Sequence, residues 1–303
     1  MLLSGVRVLD LSRLLPGAYC TRLLADGGAA VLKIEPPGGD PIRHLAGGDA
    51  YFEALHHGKQ CLTLDWKTAL GRARLQQEIE VADVLVQGFR PGVMERAGFG
   101  YAALAKANPR LIACAITGFG STDPRAGRAG HDLNYLGLSG ALALMPRSPD
   151  GTPLIPGIQL ADQAGGLQAA FLIAAALAAR ARTGTGTPIE VSLTDVARGW
   201  TALPRAAART GLGGPPLTGV APCYHVYRVA DGFLTVAALE ARFWLTFCRV
   251  IRREELGGRQ FDPSAVAEVA GVLAGRTRAA WMNEFAGQDV CVEPFLELDE
   301  ELD

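Results

Sequence analysis

The chain has 303 residues, 49% hydrophobic and 20% charged, with a formal net charge of -2. This balance excludes a disordered, collagen-like or disulfide-stapled protein, and it offers no overall basic surface for nucleic acid or an acidic membrane. The length suits about two domains of ~150 residues each.

The six cysteines (20, 61, 114, 223, 248 and 291) are scattered without C-x-x-C spacing, and MLLSGVRVLDLS has neither part of a signal peptide. Reduced thiols in a cytoplasmic protein are therefore expected. The most apolar stretch, residues 167–179, is 13 residues long. A membrane span needs ~20, so the stretch reads as a buried core helix.

In chain order, residues 5–11 (GVRVLDL) alternate as a strand. A helix follows Pro16-Gly17 and ends at Gly27-Gly28. Residues 30–34 form a second strand, and EPPGGD forces a loop. Strands are expected at 61–64, 82–87, 111–116 and 189–193, with a helix at 68–80 and a long Ala-rich helix from near Asp162 to Thr183. Strands separated by helices predict βαβ units and an α/β fold with a parallel sheet. From Pro215 the texture changes. A hairpin at 226–229 and 233–238 turns on Ala230-Asp231-Gly232, with helices at 242–250 and 263–273. The expected division is a large domain at 1–200 and a smaller α+β domain at 201–303.

Familiar fingerprints are missing. The first strand is followed by SRLLPG rather than G-x-G-x-x-G, and Gly58-Lys59 continues with Gln60 rather than the hydroxyl residue of a P-loop. Ser139 lacks a nucleophile elbow. The five histidines show no metal-ligand spacing, so no metal is expected.

Six phrases carry a resemblance: residues 3–40, HHGKQCLTLDWK, ADVLVQGFRPGVMERAGFGY, AGHDLNYLGLSG, LADQAGG and YRVADGFLTVAALEARFW. In this order they resemble the family III CoA-transferases and CoA racemases, and within them the α-methylacyl-CoA racemase branch. The resemblance implies an interlocked homodimer, with a large Rossmann-like CoA-binding domain and CoA entering as part of the substrate rather than as a separate cofactor. It also implies one of two chemistries. A racemase removes and returns the proton alpha to a thioester carbonyl, whereas a transferase uses an aspartate to pass CoA between acids. A catalytically degenerate CoA-binding homologue is a third possibility.

On the racemase pattern, His131 and Asp162 stand at the positions of two opposed acid/bases, as inversion through a planar enolate needs. Glu240 matches the glutamate that orients the histidine. The expected CoA contacts are Leu64, Asp65, Trp66 and Lys67, then Gln87, Gly88, Phe89 and Arg90, then Arg96. Gly130, Asp132, Asn134 and Tyr135 are expected at the pantetheine end. Backbone N–H groups at the start of the Asp162 helix are expected to hold the enolate oxygen, and Gly165 and Gly166 to admit the thioester or tighten helix packing. Pro36 stands where relatives carry a CoA-binding arginine, and Arg43 is the nearby substitute. The chain looks shorter than typical racemases, ending in the acidic run ELDEELD. A reduced C-terminal return segment is therefore expected.

Overall fold

The computed structural model describes residues 1–211 and 217–301. Pro215, and Leu302 and Asp303 of the acidic tail, lie outside the described residues. Two compact units divide the chain, Met1–Ala202 and Leu203–Asp303.

In the first unit β1 (Arg7–Asp10) leads through a turn into α1 (Leu14–Asp26). Next come β2 (Ala30–Glu35), α2 (Gly48–His56), β3 (Gln60–Thr63), α3 (Ala69–Val81) and β4 (Val84–Gln87). Two short helices, α4 (Val93–Arg96) and α5 (Tyr101–Ala107), precede β5 (Ile112–Thr117). Then come α6 (Asp132–Ser139), α7 (Leu160–Thr183), β6 (Pro188–Ser192) and α8 (Leu193–Trp200), with α9 (Ala202–Arg209) next in the chain.

The sheet runs β3-β2-β1-β4-β5-β6, and every neighbouring pair is parallel. After β3 the chain crosses to the far side of β1, so the strand order reverses between β1 and β4. In open α/β sheets ligands bind beyond the carboxyl ends of the strands at such a reversal.

Both sheet faces are covered, which explains the nearly continuous apolar strands. Val8, Val84, Val86, Ile112 and Cys114 share a core with Cys20 and Leu24 of α1 and Ala169 and Ile173 of α7. Leu9, Ile34 and Leu85 face the other way, onto Leu75 and Ile79 of α3 and Leu104 of α5.

The apolar stretch at 167–179 is the middle of the 24-residue α7, which by length and composition alone could cross a membrane. In the fold, Ala161, Ala169, Ala170 and Ile173 bury its inner face, and Arg180 in its last turn pairs with Asp83 at 2.7 Å. Gly165 and Gly166 serve packing. A Cβ on Gly166 would lie 2.5 Å from the Pro16 carbonyl oxygen, and one on Gly165 would lie 2.1 Å from Leu193 Cδ2.

Most boundaries shift by one or two residues, and three departures from the sequence reading have a clear cause. Helix α1 starts at Leu14, with Pro16 inside its first turn, where a missing N–H costs nothing because no intrahelical acceptor exists there. Helix α2 arises from GDAYFEALH, which carries no strong periodic signal. Leu193, expected to end β6, instead begins α8, with the Ser192 hydroxyl accepting from the Asp195 N–H.

The second unit contains the expected hairpin, β7 (Tyr224–Val229) and β8 (Gly232–Ala237). A short third strand was not anticipated. It is β9 (Val292–Pro294), which follows α10 (Ala241–Val250), α11 (Ala265–Leu273) and α12 (Arg278–Phe285). Tyr227, Leu234, Trp244, Phe247, Val269 and Trp281 form its separate core.

Candidate active site

The loops that leave β1, β4 and β5 enclose a cavity of about 280 Å³ at the strand-order reversal. Arg13 ahead of α1 and Leu14, Pro16 and Gly17 in its first turn contribute from the β1 side. The loop after β4 contributes Gly88, Phe89 and Arg90, and the β5 end contributes Thr117, Gly118 and Phe119. Further along the chain, Arg128, Gly130, His131, Tyr135 and Asp162 complete the polar wall.

His131 and Asp162 reach this cavity from the starts of two helices. His131 is the N-cap residue of α6, and its own backbone N–H donates to Asn134 Oδ1 at 3.0 Å. Asp162 is the third residue of α7, where the helix dipole favours a carboxylate. Burial nevertheless pushes its carboxyl up to about 7, and the negative charge of Asp132 adds to the rise. Desolvation outweighs the dipole, and the group exchanges its proton near neutral pH.

Asp132 does more than repel. Its Oδ1 accepts the backbone N–H groups of Ala161 (2.7 Å) and Asp162 (3.1 Å). Gln159, the N-cap residue of α7, makes no side-chain cap bond, so Asp132 caps that helix from a neighbouring one. The amides expected to hold an enolate oxygen are therefore already engaged by this carboxylate. Asp132 and Asn134, expected at the pantetheine end, are used in fixing the two helix starts.

Tyr135 locks the loop ahead of His131. Its hydroxyl donates to the Gly130 carbonyl at 2.6 Å, and its ring meets Phe119 edge-on at 5.3 Å. A Cβ on Gly118 or Gly130 would come within 2.8 Å of the Tyr135 ring, so both positions need glycine to seat it. Burial, then the charges of Asp162 and Asp132, push the phenol up to about 12, which keeps it protonated.

Three guanidinium groups surround the same cavity. Arg90 donates to the Gly127 carbonyl at 3.2 Å, and Arg13 lies 5.1 Å from the Phe89 ring centroid. Arg13 and Arg128 were not singled out from sequence, although each lies on a loop that leaves a strand of a parallel sheet, where ligand contacts concentrate.

The other expected residues lie around this centre. Gln87 lines an adjoining cavity of about 380 Å³ that shares Phe89, Arg90 and Pro91, and its Oε1 accepts the Phe89 N–H at 2.6 Å. Leu64, Asp65, Trp66 and Lys67 form the turn after β3. Within it, Asp65 accepts the Lys67 N–H at 3.0 Å, and Trp66 packs on Phe89 with ring centroids 5.6 Å apart. Arg96 ends α4 with its side chain exposed. Arg43, the possible substitute for the charge missing at Pro36, is engaged by Glu35 through Nε at 2.9 Å and a second nitrogen at 3.1 Å. Glu240 belongs to the second unit, where it is the N-cap residue of α10. Among the described residues no group of three or more His, Cys, Asp or Glu side chains could hold a metal ion.

With this geometry established, comparison with known proteins identifies the family. The profile of CoA-transferase family III matches residues 3–303. The chain is 37% identical to human "Alpha-methylacyl-CoA racemase" over 313 aligned residues, covering 99% of this chain and 79% of that protein. It is 34% identical to "Acetyl-CoA:oxalate CoA-transferase" from Acetobacter aceti, covering 98% and 81% of the two chains. Among solved structures, a CAIB/BAIF family protein from Brucella suis superposes with a TM-score of 0.84 at 30% identity, over 97% of this chain and 84% of that one. The chain is an enzyme of CoA-transferase family III.

Proposed function

We propose that this enzyme racemises or epimerises 2-methyl-branched acyl-CoA thioesters by removing and returning the alpha proton through an enolate. The observation that carries this reading is the pairing of His131 and Asp162 on one cavity, each delivered by a helix start. Two acid/base groups, one for each face, are the minimum that inversion of a carbon through a planar enolate requires. In one direction Asp162 takes the proton as carboxylate while imidazolium at His131 supplies one to the opposite face. The reverse direction exchanges these roles.

Arg13, Arg90 and Arg128 give the cavity the cationic rim that a CoA thioester, anionic at its phosphates, would need. Their positive field also favours negative charge developing on the enolate oxygen. CoA enters and leaves as part of the substrate, and no resident cofactor is required. We read the working form as a homodimer.

The test is exchange of the alpha proton of (R)- and (S)-2-methylacyl-CoA in D₂O, followed by mass spectrometry. Deuterium entering from both enantiomers is the expected result. Folded protein that binds CoA yet exchanges neither would overturn the reading.

The Acetobacter relative supports a second reading, CoA transfer. Here the Asp162 carboxylate attacks the thioester carbonyl and expels CoA thiolate, forming a mixed anhydride. The thiolate then attacks the aspartyl carbonyl, releasing the first acid and leaving an aspartyl-CoA thioester that passes CoA to the second acid. Hydroxylamine would trap that thioester at Asp162, and an Asp162→Ala variant would give no adduct.

A further inference from the structure

Beneath the β1–α1 turn lies a chain of charges that the proton-transfer scheme leaves unused. Asp10 at the end of β1, Lys33 in β2 and Asp40 in the following loop are each 0–1% exposed. Lys33 Nζ lies 2.9 Å from Asp40 Oδ2 and 3.9 Å from Asp10 Oδ1, and it donates to the Ser12 carbonyl oxygen. Asp10 Oδ1 accepts the Ser12 N–H at 2.9 Å and its hydroxyl at 2.6 Å, while Oδ2 accepts the Thr21 hydroxyl at 2.6 Å. Lys59 completes the set, with its Nζ 3.7 Å from Asp10 Oδ2. Asp40 Oδ1 accepts the Ile42 N–H at 3.0 Å and, at 3.4 Å, that of Leu14.

These groups surround residues 12–14, where the backbone of Leu14 is strained. Leu14 has φ +59°, and among the described non-glycine residues only Arg252 shares a positive φ. A bulky side chain with a Cβ is disfavoured in that region, and such a residue persists only where its surroundings over-determine it. Arg13 and Leu14 line the candidate cavity, followed by Pro16 and Gly17 at the start of α1. A buried ion pair is a weak source of stability, because well-packed apolar side chains of similar volume often serve as well. Geometry is the better account of this one.

We propose that Lys33, with Asp10 and Asp40, is a positioning residue whose buried ion chain holds residues 12–14, with the strained Leu14, and so sets Arg13 and the start of α1 against the reacting group. The inference rests on the cavity being the site of the proposed reaction. It assigns work to residues that touch neither substrate nor proton.

Two variants test it. Lys33→Met keeps the stem and removes the charge. Asp40→Asn keeps the side-chain shape and the acceptor for Leu14, and carries the test if the first variant does not fold. In either variant, hydrogen exchange over residues 11–17 should quicken about tenfold while peptides from α7 and β5 keep their protection. The kcat for alpha-proton exchange should fall about 10- to 100-fold, as misplaced site groups cost, while KM stays within about threefold. A folded variant with unchanged protection over residues 11–17 would overturn the inference. A lowered melting temperature with unchanged kcat would overturn it too, since the chain would then only stabilise. If the wild-type enzyme neither exchanges alpha protons nor forms a hydroxylamine-sensitive adduct, the functional reading fails by itself, and protection over residues 11–17 alone decides the inference.

Discussion

Asp132 Oδ1 accepts the backbone N–H of Asp162 at 3.1 Å, so one carboxylate caps the helix that carries the other while its charge raises the other's pKa. The two effects separate by substitution. In Asp132→Asn the side-chain oxygen still accepts from Ala161 and Asp162, but the negative charge is gone. The carboxyl of Asp162 should then titrate below its present value of about 7, moving the acid limb of the kcat/KM profile down by about one pH unit. Asp132→Ala also loses the cap, and should cost about 1 kcal/mol in urea unfolding beyond the cost of the asparagine variant.

Asp162 itself links stability to pH. Its folded pKa, about 7, lies above its ordinary value of 3.8, so between these values the folded chain binds more protons than the unfolded one. This contribution to stability is complete below about pH 4 and is lost as pH rises through 7. Asp162→Asn removes the linkage. The variant should match the wild type near pH 4 and exceed it by about 4 kcal/mol at pH 8, a gain of several degrees in Tm. In the same protein, alpha-proton exchange should be lost from the enantiomer that presents its proton to Asp162, and interconversion of the enantiomers should fail. Equal pH dependence of Tm in the two proteins would show that Asp162 is not desolvated.

The parallel sheet was legible because each strand is a short apolar run bounded by turn residues and separated from the next by a helix, as in AVLKI and ADVLVQ. Helix α2 was hidden because it begins at Gly48, a poor helix former. The glycine is needed there, since a Cβ would lie 2.4 Å from the Ile42 carbonyl oxygen. His131 and Asp162 could be found from the phrases around them. The capping work of Asp132 could not, because its partners stand 29 and 30 residues further along the chain. Arg13 and Arg128 carry no local signature, and their position shows only once the strand order is known.

If His131 and Asp162 act on opposite faces of the alpha carbon, His131→Gln should disable one face and leave the other. The variant should still exchange the alpha proton of whichever enantiomer presents it to Asp162, while interconversion of the enantiomers falls by about 10²–10⁴-fold. Chiral analysis of the product acids, run beside deuterium incorporation, separates these outcomes. Loss of exchange from both enantiomers, with CoA binding intact, would assign His131 a role shared by both directions rather than one face.

Two glycines set how closely α7 packs against α1 and α8. At Gly166 an added methyl would meet backbone, 2.5 Å from the Pro16 carbonyl oxygen and 3.2 Å from the Cys20 nitrogen, and neither can move without shifting α1. At Gly165 it would meet the end of one side chain, Leu193 Cδ2, at 2.1 Å. A leucine can change rotamer, whereas a packed helix moves as a body. Gly166→Ala should therefore cost about 2–3 kcal/mol and Gly165→Ala about 1 kcal/mol in urea unfolding, the range of overpacking in dense cores. Because Pro16 and Gly17 also line the cavity, the Gly166 variant should lose alpha-proton exchange out of proportion to its stability. The Gly165 variant should keep most of it. Equal losses in the two would place the tight contact elsewhere than between α1 and α7.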